Sequence, residues 1–393
     1  MARDVGTIAP GTGATAPSEP VRVLILHNNY RARGGEERAV ASIATLLRAR
    51  GHSVELLERS STQLSKWRAA RGMLEGGVDS DQVSDAVRRT RADVVHAHNL
   101  HPLFGWRALA AARAAGAQTI LHLHNFRLFC AIAVAYRDGG PCFRCSGANS
   151  AAGVRLRCRG SLAEAAVYGA GLHRQHPRLL DNTDRFIVLS EATCARMRQL
   201  GLPAQRARVL RNFIPADAFA GASAADQGSY ALVAGRLVEY KGFDTAIAAA
   251  RAAAVPLVVA GEGPDESRLR ALAAGADVRF TGWLDQARLA EVRAGAGIVL
   301  VPSRCEEQCP YAVLDAISTG VPVLGSDRGG IPELLPSPSV LPADNRQAWA
   351  RALGELWRAP AARRDRGEQA LARARDWLSA ERYYTGLMGV YGG

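Results

Sequence analysis

The feature that most constrains this chain is an alternation of short apolar runs with longer amphipathic stretches, begun twice. Residues 21–26 (VRVLIL) read as a largely apolar buried strand, a loop covers 27–35, residues 36–50 have helical periodicity, and 53–57 gives a second strand. Apolar runs of this length, bounded by turn residues, predict strands buried on both faces. Strands separated by helices predict a parallel, doubly wound α/β sheet. Further strands are expected at 93–97, 119–123 and 185–189, with helical stretches over 60–91, 105–115, 161–176 and 192–200, and residues 209–213 end the first domain. After an Ala-, Gly-, Ser- and Asp-rich stretch to residue 228 the pattern restarts. Strands are expected at 230–234, 256–261, 278–282 and 298–303, and helices at 265–274, 285–294, 311–319, 347–356 and 363–377. A chain of 393 residues exceeds one ordinary core. We therefore expect two Rossmann-like domains, 21–215 and 216–378, with a disordered tail at 1–20 and a last helix within 379–393.

Hydrophobic residues at 48% and charged ones at 22% are ordinary for a soluble globular protein. No run of 18 apolar residues is present, and the first 20 lack the basic-then-apolar layout of a signal peptide, so a cytoplasmic chain is expected. Charge is unevenly placed. Residues 1–215 carry 30 Lys and Arg against 16 Asp and Glu, while residues 216–393 carry 19 against 21. A basic first half attracts an anionic partner, such as an acidic lipid surface (peripheral membrane contact) or a phosphorylated acceptor, or simply solvates arginine-rich helices. No zinc-finger spacing, helix-turn-helix or aromatic RNA-binding motif points to nucleic acid.

Seven cysteines without an export signal are expected to be reduced. Cys130, Cys142, Cys145 and Cys158 cluster, and Cys142 and Cys145 form a C-x-x-C suited to tetrahedral zinc; a structural zinc, a reducible disulfide and idle thiols all remain open. Asp79-Ser80-Asp81 is expected to cap a helix rather than bind metal. The strands at 93–97 and 119–123 run into the histidine pairs His96/His98 and His122/His124. In a doubly wound sheet ligands gather at the carboxyl ends of strands, so these imidazoles are placed for hydrogen bonding or proton transfer.

The stretch 299–333, VLVPSRCEEQCPYAVLDAISTGVPVLGSDRGGIPE, gives strand, loop, short helix, strand and glycine loop. Pro310 suits a first helical position, and the helix start at Tyr311 and Ala312 offers free N–H groups to an anion. Glu307 and Asp315 flank that start, eight residues apart. Gly235-Arg236 with Lys241-Gly242 places a forked donor and a point charge together, suited to a diphosphate. Gly34-Gly35 allows backbone to approach a ligand but is not a G-x-G-x-x-G, which argues against an ordinary dinucleotide oxidoreductase. Gly261-Glu262-Gly263 ends another strand. An anion held by amides between acids fits a nucleotide sugar.

The Glu307…Asp315 segment resembles the donor motif of the retaining family-4 glycosyltransferases, with Asp for the second Glu and Pro310 for a frequent Gly. G-R-x-x-x-x-K-G at 235–242 and the glycine loop at 329–333 match the same family. The run HNFRLFC at 124–130, with RDGGPCFRC and CRGS, resembles a bacterial subgroup, with Cys130-Ala131 where Cys-Pro is usual. The resemblance covers nearly everything from residue 21 onward and implies a GT-B fold, two doubly wound domains facing across a cleft, with the last helix crossing back to the first. It implies transfer of a sugar from a nucleoside diphosphate donor, UDP favoured, to an acceptor hydroxyl with retention of configuration. The acceptor is a hydroxylated or anionic small molecule, a glycan or a lipid-linked sugar. Arg236 and Lys241 would stabilise the leaving diphosphate, helped by Tyr311 and Ala312. Glu307 would hold sugar hydroxyls, Asp315 the ribose, His124 the sugar; Gly34-Gly35 would face the phosphates and Gly261-Glu262 the base. His98 and Asn125 would lie on the acceptor side. No divalent metal is required for catalysis. A sugar-nucleotide epimerase or phosphorylase, and a silent nucleotide-binding module, are the competing readings.

Overall fold

The computed structural model describes residues 19–29, 34–61 and 64–392. The expected tail 1–20 lies outside the described residues except for its last two positions, as do residues 30–33 of the first glycine loop.

Two six-stranded sheets carry the chain. The first is built from β1 (Arg22–Asn29), β2 (Ser53–Ser60), β3 (Val94–Ala97), β4 (Gln118–Leu123), β7 (Arg185–Val188) and β8 (Ala207–Val209), with a separate two-stranded hairpin of β5 (Tyr136–Arg137) and β6 (Gly140–Pro141). The second contains β9 (Tyr230–Ala234), β10 (Leu257–Ala260), β11 (Val278–Gly282), β12 (Ala296–Val301), β13 (Val323–Ser326) and β14 (Val340–Leu341). Helices α1 (Gly35–Ala49), α2 (Lys66–Glu75), α3 (Asp81–Thr90), α4 (Gly105–Ala114), α5 (Ala151–Arg155), α6 (Leu162–Asp181) and α7 (Glu191–Gln199) accompany the first sheet. Those accompanying the second are α8 (Phe243–Ala253), α9 (Glu266–Ala273), α10 (Gln286–Ala294), α11 (Tyr311–Ser318), α12 (Ile331–Leu334), α13 (Arg346–Trp357) and α14 (Pro360–Trp377); α15 (Ala380–Tyr391) closes the chain.

Pairing is parallel throughout both large sheets. The orders are β2-β1-β3-β4-β7-β8 and β11-β10-β9-β12-β13-β14. Each reverses direction once, between β1 and β3 and between β9 and β12. Crossover helices leave those neighbours on opposite faces, which opens a crevice at the strand ends. Successive residues of β1 feed opposite faces: Leu24 and Leu26 enter one apolar cluster, Val23 and Ile25 another.

The second of these clusters also contains Tyr383, Tyr384, Leu387, Met388, Val390 and Tyr391 of α15. The last helix thus packs under the first sheet, although it follows the second in sequence. Ile214 N–H bonds the Leu378 carbonyl at 2.8 Å, where the chain passes one way and returns. In the stretch 209–213 that ends the first domain, β8 stops at Val209. Beyond it Phe213 turns to Tyr383 (ring centroids 4.6 Å apart) and the Asn212 amide donates to the Cys309 carbonyl (3.2 Å), drawing the backbone off the sheet edge. In contrast β1 runs three residues past its expected end, because β2 pairs with it as far as Asn29↔Ser60.

Leu387 is fully buried between α15 and the first sheet. Leu387→Ala should lower stability by about 2–5 kcal/mol, the usual range for an aliphatic cavity. Chemical denaturation measures this, and a loss below about 1 kcal/mol would show that the helix is not integral to that core.

Candidate active site

The reversal in the second sheet brings together the loops after β9 and β12. Lys241, at the end of a 3-10 turn (Glu239–Lys241), forms an ion pair with Glu307, and the Ser303 hydroxyl donates to the same carboxylate oxygen at 2.8 Å. Gly242 makes this approach possible. Its φ is 71°, and a Cβ there would lie 2.0 Å from the Pro302 carbonyl oxygen, so only glycine lets the lysine turn rest on the end of β12. Burial disfavours the Lys241 charge, but the Glu307 carboxylate outweighs it and holds the ammonium above its ordinary pKa. Arg236, exposed beside this pair, makes no side-chain hydrogen bond or ion pair among the described residues. Gly261 follows β10 and backs onto Gly235, and the Glu262 carboxylate accepts the Trp283 N–H at 3.2 Å.

The start of α11 differs from expectation in two ways. Pro310 is the capping residue rather than the first helical one, because its ψ of 128° is extended. The face expected for the donor meets the first domain. Arg38 of α1 binds both oxygens of Asp315, at 2.8 and 2.7 Å, and its guanidinium covers the Tyr311 ring at 4.2 Å. Arg293 adds a second cation 3.6 Å from Asp315. Gly35 is required by the same contact, since a Cβ there would stand 2.9 Å from the Tyr311 ring. The Gly34 N–H is engaged by Glu37 at 2.8 Å. Asp315 therefore clasps the domains, and a ribose hydroxyl reaches it only by sharing or displacing Arg38.

Across the cleft, four imidazoles form a ladder on β3, β4 and the residues following them. His96 and His98, His98 and His122, and His122 and His124 are stacked, with centroids 4.6, 5.1 and 4.3 Å apart. The Tyr391 hydroxyl lies 2.8 Å from His96 Nδ1, His96 Nε2 lies 3.2 Å from His122 Nδ1, and His98 Nδ1 lies 2.8 Å from His124 Nε2. His124 keeps Nδ1 without a partner among the described residues. Burial pushes His96 and His124 down to about 3 and takes His98 and His122 well below the usual range, with neighbouring imidazoles adding to the shift. The ladder is neutral at pH 7. His96, His98 and His122 bring ligand-capable atoms within 4.8 Å of one another. Two of them are already hydrogen-bonded together, and stacked rings do not aim their in-plane lone pairs at one point, so the trio is a hydrogen-bonded stack. Gln308, oriented to satisfy its amide, donates to the Leu123 carbonyl (2.8 Å) and accepts the Asn125 N–H (3.0 Å). That contact seats the Glu307 loop against His124. The Asn125 side chain accepts the Arg127 N–H at 2.9 Å and donates to Glu36 at 3.3 Å.

Elsewhere, Ser80 begins α3 without a side-chain cap bond, and Asp79 turns toward Arg68 at 3.4 Å, so the expected cap is not made although Asp81 does lie in the first turn. All seven cysteines are free thiols, and Cys130, Cys142, Cys145 and Cys158 line one cavity.

Residues 33–218 match the family model described as Glycosyltransferase Family 4, and residues 228–359 match the one described as Glycosyl transferases group 1. Two glycosyltransferase domain models thus span most of the chain. It is 28% identical over 193 residues to the amylovoran biosynthesis glycosyltransferase AmsK of Erwinia amylovora, a match spanning 43% of this chain and 47% of AmsK. The chain thus spans about half the length of the curated relatives it matches. Its fold is that of sucrose-phosphate synthase from Thermosynechococcus elongatus (TM-score 0.71, 16% identity, 95% of this chain and 98% of that one). Anabaena HepE, solved in complex with UDP, gives a TM-score of 0.65 at 15% identity over 95% of this chain and all (100%) of HepE. These neighbours share the GT-B architecture.

For a glycosyltransferase of this fold, sequence reasoning placed Glu307 and Lys241 correctly as neighbours. It missed Arg38, Arg293, Gln308 and Tyr391. No local sequence signal marks these four, because each acts through a contact with a residue far along the chain.

The buried histidines set a pH dependence. Their folded pKa values lie below the unfolded value of about 6.5, so the unfolded chain binds more protons in between, and stability falls as pH drops from about 6.5 toward 3. Each such ring loses about 1.4 kcal/mol per pH unit below 6.5. Thermal melting at pH 7, 6 and 5 should show a falling midpoint; a flat profile over that range contradicts the neutral ladder.

Proposed function

We propose that this chain transfers a sugar from a nucleoside diphosphate sugar, UDP-linked in preference, to an acceptor hydroxyl with retention at the anomeric carbon. The observation that carries the proposal is the Lys241–Glu307–Ser303 cluster at the reversal of the second sheet, with the unpaired Arg236 beside it and the His124 imidazole across the cleft. Arg236 and Lys241 meet the diphosphate. As the bond from anomeric carbon to phosphate oxygen breaks, charge grows on that oxygen, and preplaced cations stabilise it more than they stabilise the bound donor. Glu307 keeps Lys241 charged and offers its remaining capacity to sugar hydroxyls. Neutral His124, fixed through Nε2, presents Nδ1 to the sugar.

Retention is supported by what Glu307 already does. A carboxylate paired with Lys241 and bonded by Ser303 is a poor nucleophile, which favours same-face substitution over a covalent glycosyl-enzyme. The acceptor oxygen then bonds to the face the phosphate leaves, and its proton passes to the departing phosphate oxygen. Bound UDP in HepE is the finding that favours uridine over other bases. No divalent ion is called on, because the side-chain cations supply the charge.

The acceptor is best supplied at an anionic lipid surface. Among the described residues no helix is long and apolar enough to cross a membrane. However, Trp67 is 87% exposed on α2 between Lys66 and Arg68, and Leu162, 55% exposed, begins the neighbouring α6. A Lys66–Glu164 pair at 3.1 Å holds the two together. An exposed tryptophan among cations is the arrangement that lies in a lipid headgroup layer. Co-sedimentation with phosphatidylglycerol vesicles, lost in high salt and weakened in Trp67→Ala, is expected; equal binding to neutral vesicles, or none, removes this part.

Mass-spectrometric screening of nucleotide sugars identifies the donor. With that donor, Lys241→Ala should lower turnover by about 10²–10³-fold, the scale of losing one preorganised charge at a transition state, with the melting profile retained. Unchanged turnover would remove the diphosphate assignment. Turnover without any acceptor indicates an epimerase, turnover that needs phosphate a phosphorylase, and UDP binding with no turnover a silent module.

A further inference from the structure

Between the end of β4 and the start of α6, residues 124–161 carry little regular structure: a hairpin of two-residue strands and the five-residue α5. Such a length of chain packed into a compact domain needs something other than backbone ladders to hold it. Four of the seven non-glycine residues with positive φ fall in it: Ala133 (68°), Ala135 (47°), Asp138 (53°) and Arg157 (48°). Left-handed backbone at an alanine is unfavourable by about 1–2 kcal/mol, and it persists only where its surroundings enforce it.

The conformation has a chemical counterpart. The Ala133 N–H bonds the Cys130 carbonyl at 3.0 Å, the Cys142 N–H bonds the Ala135 carbonyl at 2.7 Å, and the Cys158 N–H bonds the Gly153 carbonyl at 3.0 Å. A Cβ on Gly153 would lie 3.6 Å from Cys145 Sγ. Cys130, Cys142, Cys145 and Cys158 thus line one cavity, together with Phe143 and Leu156. Four thiolates around a divalent ion leave two negative charges, and the segment supplies cations to meet them. Arg137 Nη1 lies 3.6 Å from Cys158 Sγ, and Arg144, Arg155, Arg157 and Arg159 belong to the same stretch. Its one acid, Asp138, is shared by Arg137 (3.4 Å) and Arg144 (3.8 Å).

We propose that Cys130, Cys142, Cys145 and Cys158 are the ligands of one structural zinc ion, which staples residues 124–161 into the wall of the cleft. Among the described residues no three of these sulfurs lie within 4.8 Å of one another, so binding requires the segment to close around the ion. Each thiol gives its proton to solvent as its sulfur–zinc bond forms, and no redox step is involved. Binding matters beyond the loop. The Tyr136 hydroxyl donates to Glu239 at 3.3 Å, two residues from Lys241, and the Phe143 ring carries Arg196, which bonds Glu306 at 3.2 Å. Both contacts reach the loops that place Lys241 and Glu307.

The test uses the full-length, tag-free protein purified under reducing conditions without chelator. Elemental analysis should find one zinc per chain, and X-ray absorption at the zinc edge should show four sulfur neighbours at about 2.3 Å. Protein stripped by chelator and titrated with zinc chloride should regain one equivalent and its original melting midpoint. Cys142→Ser/Cys145→Ser should lose the metal while Cys194→Ser, altering a buried cysteine of α7, keeps it. The absorption measurement needs no variant, so misfolding of the double mutant leaves the test intact. Absence of zinc with no uptake by the stripped protein, a nitrogen-rich shell pointing to the histidines, or disulfides among these four residues would each overturn the proposal.

Discussion

A lysine and a glutamate partly withdrawn from water must compensate each other, because each loses hydration that its partner has to replace. The Lys241–Glu307 pair, with side chains 30% and 15% exposed, sits under that constraint, and the loops around it are arranged to satisfy it. Gly242 lets the lysine turn rest against Pro302, Ser303 takes a share of the carboxylate, and the Gly330 N–H bonds the Glu307 carbonyl at 2.7 Å. The pair is fixed from three directions before any ligand arrives. Preorganised charge of this kind is effective at a transition state because no further reorganisation is needed when charge moves.

A second charged cluster holds the domains together. Arg38 and Arg293 converge on Asp315, so one carboxylate faces two guanidinium groups. Glu333 does similar work at the other end of the contact: it accepts the N–H groups of Glu191 (3.1 Å) and Ala192 (2.8 Å) at the start of α7 and pairs with Arg211. Glu333 joins the start of α7 to the second domain, where free amides and the helix dipole favour an acid, whereas Asp315 is held by side-chain cations.

How far the sequence revealed this depends on whether a feature is local. The strands themselves, the Gly-Gly turn, and the separate basic turn and acidic loop follow from periodicity and side-chain chemistry over a few residues. The two turns and the loop also lie at the carboxyl ends of parallel strands, where topology alone gathers ligands. Contacts such as Arg38 to Asp315 or Tyr391 to His96 join residues 277 and 295 positions apart. Periodicity shows that Tyr391 lies on the apolar face of a helix; it does not show which sheet that face covers. Asp315 illustrates the limit best. Its spacing from Glu307 identified the motif, but its short side chain points to a ribose only if nothing else takes it first, and α1 does. Phe213 is a like case, since its apolar ring is buried against α15, far along the chain.

The histidine ladder connects that last helix to the chemistry. If the Tyr391 hydroxyl donates to His96 Nδ1, His96 must carry its proton on Nε2 and give it to His122 Nδ1, which leaves His122 protonated on Nε2. His122 Nε2 is buried without another partner, so its N–H is directed into the space lined by His98, His124 and Asn125. A helix encoded after both sheets therefore couples its Tyr391 hydroxyl to imidazoles between the first sheet and the cleft. Because burial keeps these rings neutral, tautomer rather than charge decides which atoms donate and which accept. Crossing back thus does more than cover the apolar face of the first sheet: it ties the proton positions of His96 and His122 to the orientation of one hydroxyl.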